Sequence, residues 1–385
     1  MARSNTAFAA ILQVKAEYWE RFSTFTQSVQ KTNKKVKTLL SIGGFSGPTF
    51  ALMASQLSTC KSFIDSSIKL ARSNDFHGLS LHWLYPSTAA DMTNLGSLLD
   101  EWHAAVHKES ELIGNDQLLL AAAANYMLSM LPTVTYPVNQ IARKLDWINI
   151  VAYDFYNPAL ARNRSGPFAA LQSPQINAET PPCGYNGISA WLATTMPANK
   201  IVLGLPFYDG TLPYNQIKYF IEKHPGRRQD HSDKYVVDYF SAGNTWIGYN
   251  DIQSIRAKVE YTRGKGLLGY YAWHVGSDRD GTLSGAGINQ GFYFYLILIE
   301  LKLFQFEFAD TSNGTSPGIN NGTAAVNSTG TSNGTHTSTG TATSIATGVG
   351  TVTGTVTNTI TSTNTNTNTF ICVNTCLALA LASSV

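Results

Sequence analysis

The chain has 385 residues, of which 43% are hydrophobic and 14% charged, and its formal net charge is +2. This length fits one large α/β domain with an appendage, and the near-neutral charge excludes the basic surface that nucleic-acid binding requires. The four cysteines are widely spread and lack the spacing of metal ligands, so we predict neither a metal site nor a cofactor. They are Cys60, Cys183, Cys372 and Cys376.

Residues 1–19 form an atypical N-terminal segment. Its apolar run, residues 7–12, is short and is followed at once by charged residues, which does not predict a signal peptide. The most apolar long window of the chain, near residue 300, is interrupted by Glu300 and Lys302. Because a membrane helix needs ~20 consecutive apolar residues, we expect no transmembrane span.

Residues 20–289 contain the pattern that indicates the fold. Short apolar runs, typical of strands, alternate there with stretches whose apolar residues have helical spacing. The runs are VKTLLSIGG, HGLSLHWLYP, QLLLAAAANY, LDWINIVAYDF, NKIVLGLPFY and KGLLGYYAWHVG. Strands that alternate with helices predict an α/β fold with a parallel sheet. A closed barrel of this type needs eight strands. With six runs, either the sheet is open or two strands are missing or unrecognised.

The carboxyl ends of these strands are where a barrel of this type carries its chemistry. Because strand side chains alternate between two faces, Ser80, His82 and Leu84 share one face, which we expect to point inward. The residues between them share the other face. Further candidates at strand ends are Ser41, Asn125, Tyr126, Tyr153, Asp154, Tyr208, Trp273 and His274.

Residues 290–385 are interpreted as a C-terminal apolar segment followed by a disordered tail. From residue 310 to 369 the chain is almost entirely Thr, Ser, Asn, Gly and Ala, which cannot bury enough apolar surface to offset the entropy of ordering. The tail contains N-x-S/T sequons, which are glycosylation candidates but also arise by chance in such a composition. These are Asn313, Asn321, Asn327 and Asn333.

Four segments in order resemble glycoside hydrolase family 18, in particular its plant class V chitinases. They are KTLLSIGGFSGPTFALMASQ, CKSFIDSSIKLARSNDFHGLSLHWLYPS, LDWINIVAYDFYNP and GLLGYYAWHVGSD. The resemblance implies a TIM (β/α)8 barrel that binds polymers of N-acetylglucosamine at the carboxyl ends of its strands. Family members have about two more strands before KTLLSIGG and a longer α+β insertion. The resemblance therefore implies a barrel that lacks the first two strands, with the insertion shortened to about residues 207–250.

The family's catalytic motif is D-x-x-D-x-D-x-E, and this chain departs from it. His77 matches a first position that is variable in plant members, Ser80 and His82 stand in place of the two inner aspartates, and Leu84 stands in place of the glutamate. In the family the glutamate protonates the leaving oxygen while the substrate's own acetamide attacks, a substrate-assisted scheme. Leu84 has no proton to give, and loss of a general acid typically costs ~10²–10⁴-fold. We expect no competent catalytic residue.

Other family positions are retained. The resemblance implies that Tyr153 and Asp154 bind the substrate, that Trp273 forms the floor of the central sugar subsite, and that Tyr208 also contacts sugar. Aromatic side chains at strand ends are also often part of a core, so a purely structural role stays open for them. Ser41, Gly43 and Gly44 match the S-x-G-G of a family strand, for which a structural role is favoured.

Three hypotheses of different classes follow. The first is a lectin-like, monomeric pseudoenzyme that binds chitin or N-acetylglucosamine oligosaccharides. The second is a residual chitinase in which His82 acts as the acid from a position about 6–7 Å short of the glutamate's. The third is a nonfunctional product of a truncated gene, whose open barrel would expose strand edges. The resemblance also implies an extracellular or vacuolar location.

Overall fold

The computed structural model describes residues 8–14, 18–44, 47–156, 166–174, 181–224, 228–288, 295–298, 305–310 and 370–373. The helices are α1 (Trp19–Thr32), α2 (Gly47–Ala54), α3 (Leu57–Arg72), α4 (Ala89–Ile113), α5 (Val138–Lys144), α6 (Gly184–Leu192), α7 (Tyr214–Glu222), α8 (Ile252–Gly264) and α9 (Thr282–Ile288). The strands are β1 (Phe8–Gln13), β2 (Lys37–Gly44), β3 (Gly78–Trp83), β4 (Leu119–Asn125), β5 (Ser129–Leu131), β6 (Val134–Thr135), β7 (Trp147–Val151), β8 (Ile201–Pro206), β9 (Arg228–Ser232), β10 (Val237–Ala242), β11 (Thr245–Tyr249), β12 (Gly269–Trp273), β13 (Tyr295–Leu298), β14 (Gln305–Asp310) and β15 (Phe370–Val373).

Parallel strands form a closed barrel in the order β12, β13, β15, β2, β3, β4, β7 and β8. The predicted parallel α/β barrel is confirmed, and its six predicted strands are β2, β3, β4, β7, β8 and β12. The sheet is not open, because β13 pairs with β12 and β15 pairs with β2. These two strands were unrecognised in the sequence, since one lies in the interrupted apolar run near residue 300 and the other follows the polar tail. The predicted domain boundaries remain a prediction, and most of the tail lies outside the described residues.

The barrel strands place alternate side chains in two separate apolar clusters. One cluster lies between the sheet and its helices and includes Leu79, Leu81 and Trp83 of β3. The barrel interior holds a second cluster that includes Tyr153 and Tyr271. The two-residue period of a strand therefore sets which residues can reach the mouth of the barrel, as predicted for β3.

The helices that cover the barrel carry local signals for their positions. Thr88 begins α4 in a capping box with Asp91, which satisfies backbone N–H groups at the helix start. The helix ends at Gly114, whose left-handed φ of 68° suits a residue without a side chain. The Trp102 indole N–H donates to the Ser67 hydroxyl at 3.0 Å and joins α4 to α3. In the part of the chain that is described, no helix has the length and apolar character to cross a membrane.

A small antiparallel sheet of β9, β10 and β11 lies between β8 and β12 in the chain, within the region predicted as a shortened insertion. It is fixed to α8 through two aspartates. Asp238 accepts a hydrogen bond from the Asp251 backbone N–H at 2.7 Å, and its other oxygen lies 2.8 Å from the His231 ring. Asp251 in turn accepts from the Tyr214 hydroxyl and the Lys218 ammonium.

Lys258 of α8 has a buried side chain, only 3% exposed. Its ammonium donates to the Ala169 carbonyl at 2.6 Å and to the Asn250 side-chain oxygen. Burial lowers its pKa to about 7. Two acceptors satisfy the group, but removal from water disfavours its charged form.

We predict a pH-dependent stability that Lys258→Met removes. Between about pH 7 and pH 9, Lys258 is protonated in the unfolded chain and mostly neutral in the folded chain. Raising the pH therefore favours the folded state, and the free energy of unfolding increases by up to about 1.4 kcal/mol per pH unit from this group. Urea unfolding across this range measures the slope. Lys200→Met is the matched control, because the Lys200 ammonium also donates to two carbonyls but is only partly buried. A slope unchanged in Lys258→Met would contradict the assignment.

Gly204 provides a second stability prediction. A Cβ at this position would lie 2.6 Å from the Tyr153 ring and 2.7 Å from the Tyr271 ring. We expect Gly204→Ala to destabilise the fold by about 1–3 kcal/mol, as overpacking does, in urea unfolding. Gly285→Ala in α9 meets nothing within 4 Å and is expected to stabilise by about 0.5–1 kcal/mol. Equal effects of the two substitutions would rule out the steric explanation.

Candidate functional site

Tyrosine side chains and one carboxyl group form a network at the mouth of the barrel. The Tyr153 and Tyr271 hydroxyls share a hydrogen bond of 3.1 Å. The Tyr208 hydroxyl donates to Asp154 at 2.8 Å, and its ring packs edge-on against Tyr153 with the centroids 6.1 Å apart. The structure thus brings together Tyr153, Asp154 and Tyr208, which are three of the predicted substrate-binding residues.

Asp154 is the carboxyl group of this network. Its φ of 63° is left-handed, which turns the chain sharply at the end of the strand region. Burial raises the pKa of Asp154, and the hydrogen bond from Tyr208 partly offsets this by favouring the charged form. Burial is the main cause that raises the pKa of Tyr208 and of Tyr85, and the nearby Asp154 charge raises both further. Both phenols therefore stay neutral.

His82 and Trp273 meet across the barrel, with ring centroids 5.4 Å apart and planes at 81°. His82 is 6% exposed, whereas Trp273 is only partly buried and retains an accessible surface. A partly exposed indole offers a broad apolar face, of the kind that packs on the C–H face of a pyranose. His82 thus packs against a Trp273 ring that keeps part of its surface accessible.

Leu84 is partly buried and packs on the interior cluster. Its backbone carbonyl accepts a hydrogen bond from the Tyr136 hydroxyl at 3.1 Å, and the same hydroxyl accepts from the Asn125 backbone N–H at 3.1 Å. Tyr136 thus ties the ends of β3 and β4 together. The position that follows β3 is held by its backbone and carries an apolar side chain.

The residues of the S-x-G-G sequence lie in β2 and pack against β3. Ser41 is buried beside Ser80 in the β2–β3 register, and its hydroxyl has no hydrogen-bond partner among the described residues. Gly43 has a φ of 141°, and a Cβ there would overlap the His82 carbonyl. Gly44 pairs with Trp83 in the same register. A side chain at position 43 would separate the two strands, which supports the structural interpretation of that glycine.

His77 lies at the opposite end of β3 from His82. Its ring Nδ1 accepts from the Thr38 backbone N–H at 3.1 Å, and its Nε2 lies 3.1 Å from the Gln30 side-chain nitrogen. Burial, followed by the nearby Lys37 charge, lowers its pKa. Its contacts join β3 to β2 and α1. Among the described residues no group of three or more His, Cys, Asp or Glu side chains could hold a metal ion.

Three residues of the site were not predicted: Tyr271, Tyr85 and Phe168. Tyr271 lies two residues before Trp273 on β12, so the strand period could have placed it on the same inward face. Phe168 packs edge-on against Tyr208 with centroids 5.0 Å apart, but it lies in a loop, where no periodicity indicates orientation. The glycosylation candidates Asn313, Asn321, Asn327 and Asn333 lie outside the described residues.

A parallel barrel with this aromatic mouth matches known proteins in sequence and structure. The sequence profile of glycosyl hydrolases family 18 matches residues 4–278. The chain belongs to glycosyl hydrolase family 18. It is 45% identical to a class V chitinase from Arabidopsis thaliana over 293 residues, which cover 69% of this chain and 76% of that protein.

Solved structures give the same result. A class V chitinase from Nicotiana tobaccum, crystallised in complex with NAG4, superposes with a TM-score of 0.66 at 38% identity, covering 72% of this chain and 86% of that one. A chitinase-like agglutinin from Robinia pseudoacacia superposes with a TM-score of 0.65 at 39% identity, covering 74% and 89%. The resemblance to plant class V chitinases is confirmed.

The network predicts the effect of Tyr208→Phe on Asp154. The lost hydroxyl removes the hydrogen bond that lowers the Asp154 pKa, so this pKa should rise above that of the unmodified protein. Carbon-13 NMR titration of labelled aspartate carboxyls measures it. Tyr271→Phe is the control, because Tyr271 bonds to Tyr153 and not to Asp154. A pKa that moves equally in both variants would contradict the assigned hydrogen bond.

Proposed function

We propose that this family 18 member binds chitin oligosaccharides at the mouth of its barrel and does not hydrolyse them. The observation that carries the proposal is Leu84, an apolar side chain packed on the interior cluster where the family motif has its glutamate. Trp273 and the network of Tyr153, Asp154 and Tyr208 supply surface and hydrogen-bonding groups for a sugar. The residues for binding are therefore retained without the proton donor.

The named relatives support the ligand class. The Nicotiana tobaccum chitinase was crystallised with NAG4 and a Cycas revoluta chitinase with (GlcNAc)3. The Robinia pseudoacacia protein is described as a chitinase-like agglutinin, so family membership is compatible with a lectin-type role. We extend the proposal to an extracellular or vacuolar location and to a monomer that binds N-acetylglucosamine oligomers.

His82 is a poor substitute for the missing acid. It is 6% exposed and its ring packs against Trp273 with the planes nearly perpendicular, so little of it can reach a glycosidic oxygen. A general acid must come within hydrogen-bonding distance of the oxygen that it protonates. The contact with Trp273 favours a packing role for His82.

Thermal unfolding with and without a chitin tetrasaccharide, combined with a reducing-end assay, tests the proposal. A ligand that binds only the folded state stabilises it, by about 2.7 kcal/mol at a hundredfold excess over Kd. We expect a cooperative transition that shifts upward with sugar, and no release of reducing ends. Trp273→Ala should unfold cooperatively but lose most of the shift. Trp19→Ala, which removes an indole 47% exposed on α1, should keep it.

Other outcomes separate the alternatives. Reducing ends that are released by the unmodified protein, and lost in His82→Phe, would establish a residual chitinase. A broad, non-cooperative transition would indicate a nonfunctional product. A cooperative transition that sugar does not move would reject binding at the barrel mouth.

A further inference from the structure

Four lysines lie close together in the chain at the amino ends of the barrel strands, on the face opposite the mouth. Lys31, Lys34, Lys35 and Lys37 fall within seven residues, between the last turn of α1 and the first residue of β2. Lys31, Lys34 and Lys35 are exposed and Lys37 is partly buried. We call these four residues the lysine cluster. A partner bound to the cluster would leave the mouth of the barrel accessible.

The turn that carries the cluster is held by its own hydrogen bonds. The Asn33 side-chain oxygen accepts from the Lys35 backbone N–H at 3.0 Å, and the Asn33 carbonyl accepts from the Val36 backbone N–H at 3.1 Å. The Val36 carbonyl accepts from the Gln30 side chain at 3.0 Å, and the Val36 side chain is only 4% exposed. Val36 therefore anchors the turn and the lysines around it are presented in advance, which lowers the entropic cost of binding a partner.

The charges of the cluster lack ion-pair partners in the part of the chain that is described. Basic residues in the last turns of α3 and α5 are neutralised by carboxylates, because Arg72 lies 2.7 Å from Glu109 and Lys144 lies 3.5 Å from Asp100. No ion pair between described residues includes a member of the lysine cluster. The cluster thus keeps its positive charge available to a partner in solution.

His77 responds to the charge of the cluster. Burial lowers the pKa of His77 and the nearby Lys37 charge lowers it further, whereas Asp75 and Asp116 act in the opposite direction. Two carboxylates near His77 thus offset part of the positive charge. Since the cluster has four lysines, the local balance remains positive.

The dipole of α1 accounts for only part of the cluster. A cation in the last turn of a helix interacts favourably with the helix dipole, which applies to Lys31. The effect falls off within that last turn, and α1 has Asn33 as its C-cap. Lys34, Lys35 and Lys37 lie beyond the cap, so stabilisation of the helix does not explain them.

We propose that the lysine cluster binds a polyuronate, a linear polysaccharide with a carboxylate on each sugar. A lysine-rich segment of about five to eight residues is typical of patches that bind anionic polymers such as heparin. Ammonium groups spaced along an exposed turn match a row of carboxylates better than one small anion, and each can donate several hydrogen bonds. The proposal is independent of the proposed function, because it uses charge on the opposite face of the barrel.

Two other polyanions fit the cluster less well. Stable binding to a membrane combines basic residues with an inserted apolar group, whereas Val36, the apolar residue between these lysines, is buried. Duplex DNA requires basic residues over a broad surface, whereas the chain as a whole has a net charge of only +2. A single polyuronate strand needs contact with only a short basic segment.

Calorimetric titration of the full chain with a galacturonate decasaccharide, at about 10 mM and about 150 mM salt, tests the proposal. We expect binding that weakens as the salt concentration rises, because salt screens exposed charges. Lys34→Gln/Lys35→Gln should weaken binding by about twofold to thirtyfold, the effect of losing two exposed ion pairs. No binding of the unmodified chain at the lower salt concentration would overturn the proposal.

Two matched variants control for charge. Lys223→Gln/Lys234→Gln removes the same net charge at the end of α7 and between β9 and β10, and should bind the galacturonate as the unmodified chain does. Lys34→Arg/Lys35→Arg keeps the positive charge of the cluster and should also retain binding. Equal weakening by the two pairs of glutamine substitutions would indicate a response to overall charge and would overturn the assignment to the cluster.

Competition separates this proposal from the proposed function. A saturating N-acetylglucosamine tetrasaccharide should not displace the galacturonate, and Trp273→Ala should bind galacturonate as the unmodified chain does. Displacement by the tetrasaccharide, or loss of binding in Trp273→Ala, would place the polyuronate at the mouth and overturn the proposal. If the mouth binds no sugar, the effect of Lys34→Gln/Lys35→Gln on galacturonate binding remains. Duplex DNA or phosphatidylserine vesicles that bind more tightly than the galacturonate at about 150 mM salt would overturn the polysaccharide assignment.

Discussion

The close approach of Tyr153 and Tyr271 over Gly204 determines the arrangement of the site. Both rings occupy space that a Cβ would fill, and neighbouring β4 contributes the small interior residues Ala121 and Ala123. Because a packed interior tolerates little change of volume, the two rings require the space that Gly204 leaves open. Tyr153 then provides the edge against which Tyr208 packs, and Tyr208 provides the hydrogen bond to Asp154.

This packing also accommodates His82 and Leu84, which the motif comparison aligns with an aspartate and a glutamate of the family. His82 and Leu84 lie on the inward face of a barrel already filled by aromatic rings, and both make contacts there. Carboxylates at these positions would need hydrogen bonds or charges to offset their desolvation, whereas Leu84 needs none. The mouth of this barrel thus combines an apolar side chain at Leu84 with the partly exposed aromatic surface of Trp273.

The periodicity of the sequence predicted those features of the site that depend on a single strand, namely which side chains share a face and which lie at a strand end. The two-residue alternation in β3 separated Ser80, His82 and Leu84 from the outward residues, and the strand ends indicated Tyr153, Asp154 and Trp273. Loops gave no comparable signal, so Phe168 could not be foreseen. Strands β13 and β15 were missed for a different reason. Each has only four residues, too few to show a period, and β15 pairs with strands that are distant in the sequence.

Tyr136 holds the backbone at the position that the motif comparison aligns with the family's glutamate. Its hydroxyl donates to the Leu84 carbonyl and accepts from the Asn125 backbone N–H, so Tyr136 holds the backbone at both positions. The hydrogen bond at residue 84 uses only a backbone atom, whichever side chain the residue carries. Under the proposed function, a sugar binder and a sugar-cleaving enzyme of this family differ at the mouth of the barrel by a few side chains on a common backbone.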